Sequence, residues 1–136
     1  MILVAVLVLA ACSGNVREQD AFAYKKLEEL ARKNGCSACH SLDTEVVGPA
    51  WRDVARRYKG VTSYEYAYSK YSMEDGLVKK ASLGGRHDWG EPIMKQNDPE
   101  SLFQHGKRQK DIRKMVRIIL ELPLEESPPT ESSPAR

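Results

Sequence analysis

The stretch that most constrains this chain is Cys36-Ser37-Ala38-Cys39-His40, which places two thiols and an imidazole within five consecutive residues. Three chemistries use such a set: a redox dithiol, half of a zinc site, or an anchor for covalently attached haem. Zinc needs four ligands, or three and a water. Beyond the two cysteines the chain offers His40, His87 and His105, with no second C-x-x-C and no close H-x-x-x-H pair. A thioredoxin-like dithiol is expected after a strand and at a helix N-terminus; here the motif follows a helical pattern, and His40 would have no task. Haem attachment uses every member. The thiols add across the two vinyl groups, the two-residue gap lets one turn reach both, and the adjacent imidazole meets the iron from the same side. The remaining sequence then has to supply the other side of the iron and a core around it.

Periodicity points to an all-α fold. In Asp20–Gly35, Phe22, Leu27, Leu30 and Ala31 are assigned to one face and Lys25, Lys26, Glu28 and Glu29 to water, with Asp20 as N-cap and Gly35 as stop. Pro49 can open a second helix in which Trp51, Val54, Ala55 and Tyr58 share a face, ended by Gly60. Residues 61–74 are ambiguous. Tyr64, Tyr66 and Tyr68 alternate like a strand, while Tyr64, Tyr68 and Tyr71 fit a helix; the expectation is a loop with a short helix. Another short helix leads to Gly84 and Gly85. Residues 86–110 have no sustained period, a long loop that needs a functional reason in a small domain. In the last helix Ile112, Met115, Val116 and Ile119 recur at i, i+3, i+4, i+7, with Arg113, Lys114 and Arg117 outside. The boundaries expected are 20–122 for the domain and 123–136 for a Pro/Ser-rich disordered tail.

The long loop contains Met94, flanked by polar residues and Pro92, an unusual setting for a core methionine. A thioether is a soft, neutral ligand that favours ferrous iron and raises the potential. Met115 fits the core instead; Met73 and His87 remain rivals for the sixth position, and His105 reads as a solvated loop residue. Aromatic content is only 7% in 136 residues, so a bound cofactor would help fill the core. The net charge of +2 gives no basic field of the kind nucleic acid requires.

The N-terminal run Met1–Ala11 is too short to span a bilayer and has the character of a signal-peptide h-region. It leads to Leu9-Ala10-Ala11-Cys12, which resembles the lipobox of bacterial lipoproteins. That resemblance implies a signal over residues 1–11, lipid on Cys12, a tether over 12–19, and a membrane-anchored protein in the bacterial periplasm. Ser13 resembles the second residue of lipoproteins sent to the outer membrane. No Lys or Arg precedes the apolar run, a departure from the usual basic n-region. Exported cysteines are in any case oxidised or covalently used.

With these residues set out, the chain resembles the class I c-type cytochromes, most of all the small bacterial cytochrome c-551/c-552 group. The matching pieces are Lys33–Gly60, Leu77–Gly85, Trp89–Asn97 and the last helix. The resemblance implies a small monohaem fold in which the N- and C-terminal helices pack together around one covalently bound haem c. It implies that Cys36 and Cys39 are thioether anchors and that His40 and Met94 are the iron ligands. Pro49 would accept the His40 Nδ1–H through its carbonyl, Trp89 and Lys80 would face haem propionates, and Asn97 would bond on the methionine side. Two stretches look longer than the family's, residues 61–74 and 98–110, and Ile93 stands where a proline often precedes the methionine. The function implied is a monomeric one-electron carrier, not an enzyme, serving redox proteins such as an oxidase, a reductase or another cytochrome. Lys79, Lys80, Arg86 and Lys95 would steer an acidic partner. Two other readings stay open: a haem subunit fixed in a larger oxidoreductase complex, and a peroxide- or gas-binding haem protein with a labile sixth ligand.

Overall fold

The computed structural model describes residues 13–85, 89–90, 93–96 and 106–124. Cys12 and the segment before it, Arg86, His87, Pro92, Asn97, His105 and the tail from residue 125 lie outside the described residues. Within them the chain forms α1 (Ser13–Lys33), a 3-10 turn (Cys36–Ala38), α2 (Trp51–Tyr58), a hairpin of β1 (Ser63–Tyr66) and β2 (Ser69–Ser72), α3 (Met73–Leu83) and α4 (Lys107–Leu120).

Helix α1 starts before the expected cap at Asp20. No proline interrupts the stretch from Ser13, and Arg17, Glu18 and Gln19 are good helix formers, so the polar segment 12–19 is helical from Ser13 onward. Its inward face is Leu27, Leu30 and Ala31, all buried, with Tyr24 packed beside them. Phe22 does not join that face and is 72% exposed. At 3.6 residues per turn it sits roughly 140° round the helix from Leu27, whereas Tyr24 is within about 60°. The helix ends where expected: Gly35 takes φ +75, and the Asn34 amide closes on the Leu30 carbonyl at 3.1 Å.

Helix α2 is shorter than its proline-led pattern. It begins at Trp51 with Ala50 as N-cap, so Pro49 lies just upstream and its carbonyl is left for another partner. Residues 61–74 differ from expectation outright. Ser63 to Tyr66 pair antiparallel with Ser72 to Ser69, with Tyr64 opposite Tyr71. Tyr64 is buried against α3, where a Cβ added at Gly76 would stand 2.5 Å from the Tyr64 Cβ. This close approach selects the strand reading over the helical one.

Helix α3 is capped by the Ser72 hydroxyl, which accepts the Asp75 amide at 3.2 Å, and closes at Gly84. Helix α4 buries Ile112, Met115, Val116 and Ile119 as its period predicts, and packs on α1, α2 and α3. The core falls into two clusters. One joins α1, α2 and α4 through Leu27, Leu30, Ala55, Met115 and Ile119. The other joins the hairpin, α3 and α4 through Tyr64, Met73, Leu77, Val78, Ile112 and Val116. Arg113 and Arg117, placed outside by the pattern, bind Glu74 and Asp75 of α3.

Candidate functional site

The turn after α1 is fixed by α4. Asn34 is buried; its side-chain amide donates to the Leu30 carbonyl at 2.9 Å, and its carbonyl accepts Arg108 Nη2 at 2.9 Å. Lys33 binds Asp111 at 2.6 Å alongside. The 3-10 turn follows at once, with the Cys39 and His40 amides both donating to the Cys36 carbonyl at 3.1 and 3.0 Å. Cys36 is half-buried and Cys39 exposed, and the two are free thiols at the start and end of a single turn of chain. Burial pushes the Cys36 thiol up, against the pull of the Arg108 guanidinium.

The chain then loops back on itself. The Val47 and Gly48 amides donate to the Cys39 carbonyl at 3.1 and 2.8 Å, and the Trp51 amide to the Ser41 carbonyl at 2.9 Å. Arg52 binds Asp43 at 3.1 Å and the Tyr24 hydroxyl at 3.2 Å, tying this loop to α1. The result is a seat for His40. Its Nδ1 lies 2.8 Å from the Pro49 carbonyl, and its ring stacks on Trp51 with centroids 4.4 Å apart. Gly48 leaves the space: a Cβ there would collide with the imidazole, within 2.9 Å of both ring nitrogens. With Nδ1–H donating to the carbonyl, Nε2 carries the free lone pair, and among the described residues it has no hydrogen-bond partner. Burial lowers the His40 pKa and the Pro49 carbonyl opposes this; the net lowering favours the neutral ring that a metal ligand needs.

Met94 is held by the end of α3. The Gly85 amide donates to the Met94 carbonyl at 2.9 Å, and Gly84 has no room for a side chain beside that carbonyl and the Gln96 nitrogen 2.8 Å away. Met73, a rival for the same role, is buried in the second cluster among Tyr64, Leu77 and Val78, and does the ordinary work of a core methionine. Lys80 donates to the Gly85 carbonyl at 2.7 Å. Trp89 stands edge-on to Tyr58 and under the Arg57 guanidinium, 4.5 Å from its centroid. Sequence reasoning missed Gly48, Tyr66 and Arg57. Only Gly48 left a signal, as the residue before Pro49 in a loop that must return to His40.

Two unpaired thiols on one turn, followed by an imidazole with one nitrogen engaged and the other open, have the donor chemistry that covalent haem attachment requires. Set in a small, mostly helical fold with terminal helices packed together, they define a class I c-type cytochrome.

Comparison with known proteins names the group. The chain is 40% identical over 68 residues to cytochrome c-551 of Allochromatium vinosum, a match covering 50% of this chain and 63% of that protein. It is 42% identical over 89 residues to cytochrome c-551 of Stutzerimonas stutzeri, covering 65% of this chain and 76% of the relative. The crystal structure of wild-type Nitrosomonas europaea cytochrome c552 superimposes with a TM-score of 0.53 at 29% identity, over 71% of this chain and 99% of that one. No protein-family model matches. This chain belongs to the bacterial cytochrome c-551/c-552 family, and as a member it carries haem c.

Proposed function

We propose that this protein is a one-electron carrier in which Cys36 and Cys39 would hold the haem through thioethers and His40 and Met94 would ligate its iron. The observation that carries the reading is the 2.8 Å contact between His40 Nδ1 and the Pro49 carbonyl, which fixes the tautomer and leaves Nε2 open. The loop from Cys39 to Ala50 holds the ring in one orientation. The glycine corner after α3 holds the Met94 backbone. When bound, haem would supply one-electron chemistry at its iron, and two permanent protein ligands would keep the iron's surroundings alike in both oxidation states. Cys39 is exposed, which supports a haem edge that a redox partner would reach from solvent. Trp89, positioned by Arg57 and Tyr58, and Lys80, at the C-terminal turn of α3, serve the propionates, and Asn97 the methionine side.

The carrier works outside the cytosol as a monomer serving an oxidase, a reductase or another cytochrome, and is tethered to a membrane through lipid on Cys12. Support for export is the apolar run ahead of Cys12 and the covalent use of the two other cysteines. Among the described residues no helix is long and apolar enough to cross a membrane. Because α1 begins at Ser13, the link to the domain is a helix rather than slack chain. Mass spectrometry of the mature N-terminus reads the anchor directly; an unmodified Cys12, or a cut elsewhere, removes it.

The ligand set is tested by absorption spectra of the purified oxidised and reduced protein beside Met94→Ala. The wild type is expected to be low-spin in both states, with a weak long-wavelength sulfur-to-iron band in the ferric form that vanishes in the variant. A wild type lacking that band would transfer the sixth position to another residue or leave it open.

A further inference from the structure

The hairpin β1–β2 is remote in sequence from the Cys36–His40 turn but bonded to the segment that presents Met94. Tyr64 seats the hairpin on α3 at Gly76. Tyr66, the last residue of β1, is half-buried, and its hydroxyl donates to the Gly84 carbonyl at 3.2 Å. Gly84 and Gly85 have φ +73 and +108. Gly85 donates to the Met94 carbonyl at 2.9 Å, and Lys80 donates to the Gly85 carbonyl at 2.7 Å. The corner is thus bonded on one side to the Met94 strand and on the other to Tyr66 and Lys80.

Two consecutive glycines with positive φ give this corner little conformational preference of its own. Bonds to its carbonyls therefore decide where it rests. Tyr66 is a firm point to bond from, because the two-residue turn begins right after it. Ala67 and Tyr68 complete that turn with φ +50 and +63, while the ring of Tyr64 pins the same strand to α3. We propose that Tyr66 is a positioning residue for Met94: through the Gly84 carbonyl its hydroxyl holds the glycine corner, and so the Met94 strand, at the place from which the thioether reaches the iron. This rests on the His40–Met94 ligation proposed above. It gives the tyrosine-rich hairpin a task at the site. Removing the hydroxyl frees the corner, so Met94 is off the iron more of the time and a competing ligand binds more tightly in proportion.

The test uses the ferric holoprotein, Tyr66→Phe, and Tyr71→Phe as control. Tyr71 lies on the same hairpin opposite Tyr64, and its ring packs under Lys79 at 4.9 Å. Imidazole is titrated in and followed by absorbance, and exchange of the Gly85 amide is followed by NMR. Tyr66→Phe is expected to bind imidazole roughly fivefold more tightly, the scale of one neutral hydrogen bond, and to exchange the Gly85 amide faster by a similar factor. Tyr71→Phe should match the wild type in both. Unchanged imidazole affinity in Tyr66→Phe overturns the proposal, as does an equal effect in Tyr71→Phe, which would mean general loosening of the hairpin. A wild type without the sulfur-to-iron band overturns the ligation and this role toward Met94 with it; Gly85 exchange separates the two failures, since it reports the corner whatever ligates the iron.

Discussion

Gly48 shows how a site depends on a residue with no side chain. The His40 imidazole occupies the volume a Cβ would take, so the loop can close over the ring only with glycine at this position. Gly48→Ala should force the ring or the loop to move, which breaks the bond to the Pro49 carbonyl or the stacking on Trp51. The expected cost is about 1–3 kcal/mol, the range for overpacking a close-fitted site. It is read as a lower denaturant midpoint for the holoprotein together with a changed reduction potential; an unchanged midpoint would mean that the loop yields freely. At this scale the sequence was most legible where covalent chemistry dictates spacing. Cys36, Cys39 and His40 stand out in the sequence because their order follows from a reaction, and Met94 stands out by its polar setting; their roles at the haem are those proposed above. Phe22 was misplaced because it lies almost opposite Ala31 on the helix. Arg57 over Trp89 was not legible, since that contact depends on where a later loop returns.

Among the elements, α4 followed its strong period, and α3 and the end of α1 followed their glycine stops. The hairpin did not. Its tyrosines satisfy a strand and a helix about equally, and its turn, Ala67-Tyr68, lacks the Gly or Asn that usually announces two positive φ values. What decides it is tertiary: Tyr64 on Gly76, a contact between residues whose meeting no local pattern records. The charge network between α3 and α4 was hidden for the same reason. Arg113 reads as a solvated residue until α3 arrives with Glu74 and Asp75, at 2.5 and 2.7 Å. Glu74 is held below the usual carboxylate range by Arg117 and then Arg113, and Asp75 by Arg113 and then the Ser72 hydroxyl. Both carboxyls bind protons less readily in the folded chain than in the unfolded one. Their contribution is therefore full above the unfolded-state pKa and is lost as pH falls through the folded-state values, below about pH 4. Arg113→Met should cost about 0.5–1 kcal/mol at neutral pH, small because the groups are partly exposed. The difference from wild type should shrink towards about pH 3, as the carboxyls take up protons and the ion pairs are lost. Urea titrations of the two proteins at both pH values check this, and a difference independent of pH would assign the loss to packing instead.

For the whole molecule the governing fact is how little the chain buries by itself. Among the described residues the fully buried side chains of largest volume are Leu27, Val78 and Ser82, and the Ser82 hydroxyl has no hydrogen-bond partner there. Three of the core residues are alanines, Ala31, Ala50 and Ala55, and Trp51 and Trp89 both stay partly or largely exposed. Helix α4 is shared between two clusters, so neither is closed without it. A domain of this size buries a modest fraction of its surface and needs added apolar volume or a covalent staple. Haem c is both: it adds a large apolar body and is covalently attached, through Cys36 and Cys39 in the ligation proposed above. Because a group that binds only the folded chain stabilises it by mass action, and a covalently attached one cannot dissociate, the folded state should depend on attachment. Cys36→Ala with Cys39→Ala leaves every helix pattern intact and removes both anchors. The double variant, expressed without haem, is expected to lose most of its helical circular-dichroism signal and its cooperative unfolding transition. Residual helicity should trace to α1 and α4, the longest helices described. If it instead melts cooperatively with the full helical signal, the two clusters suffice as a core, and the haem serves electron transfer alone.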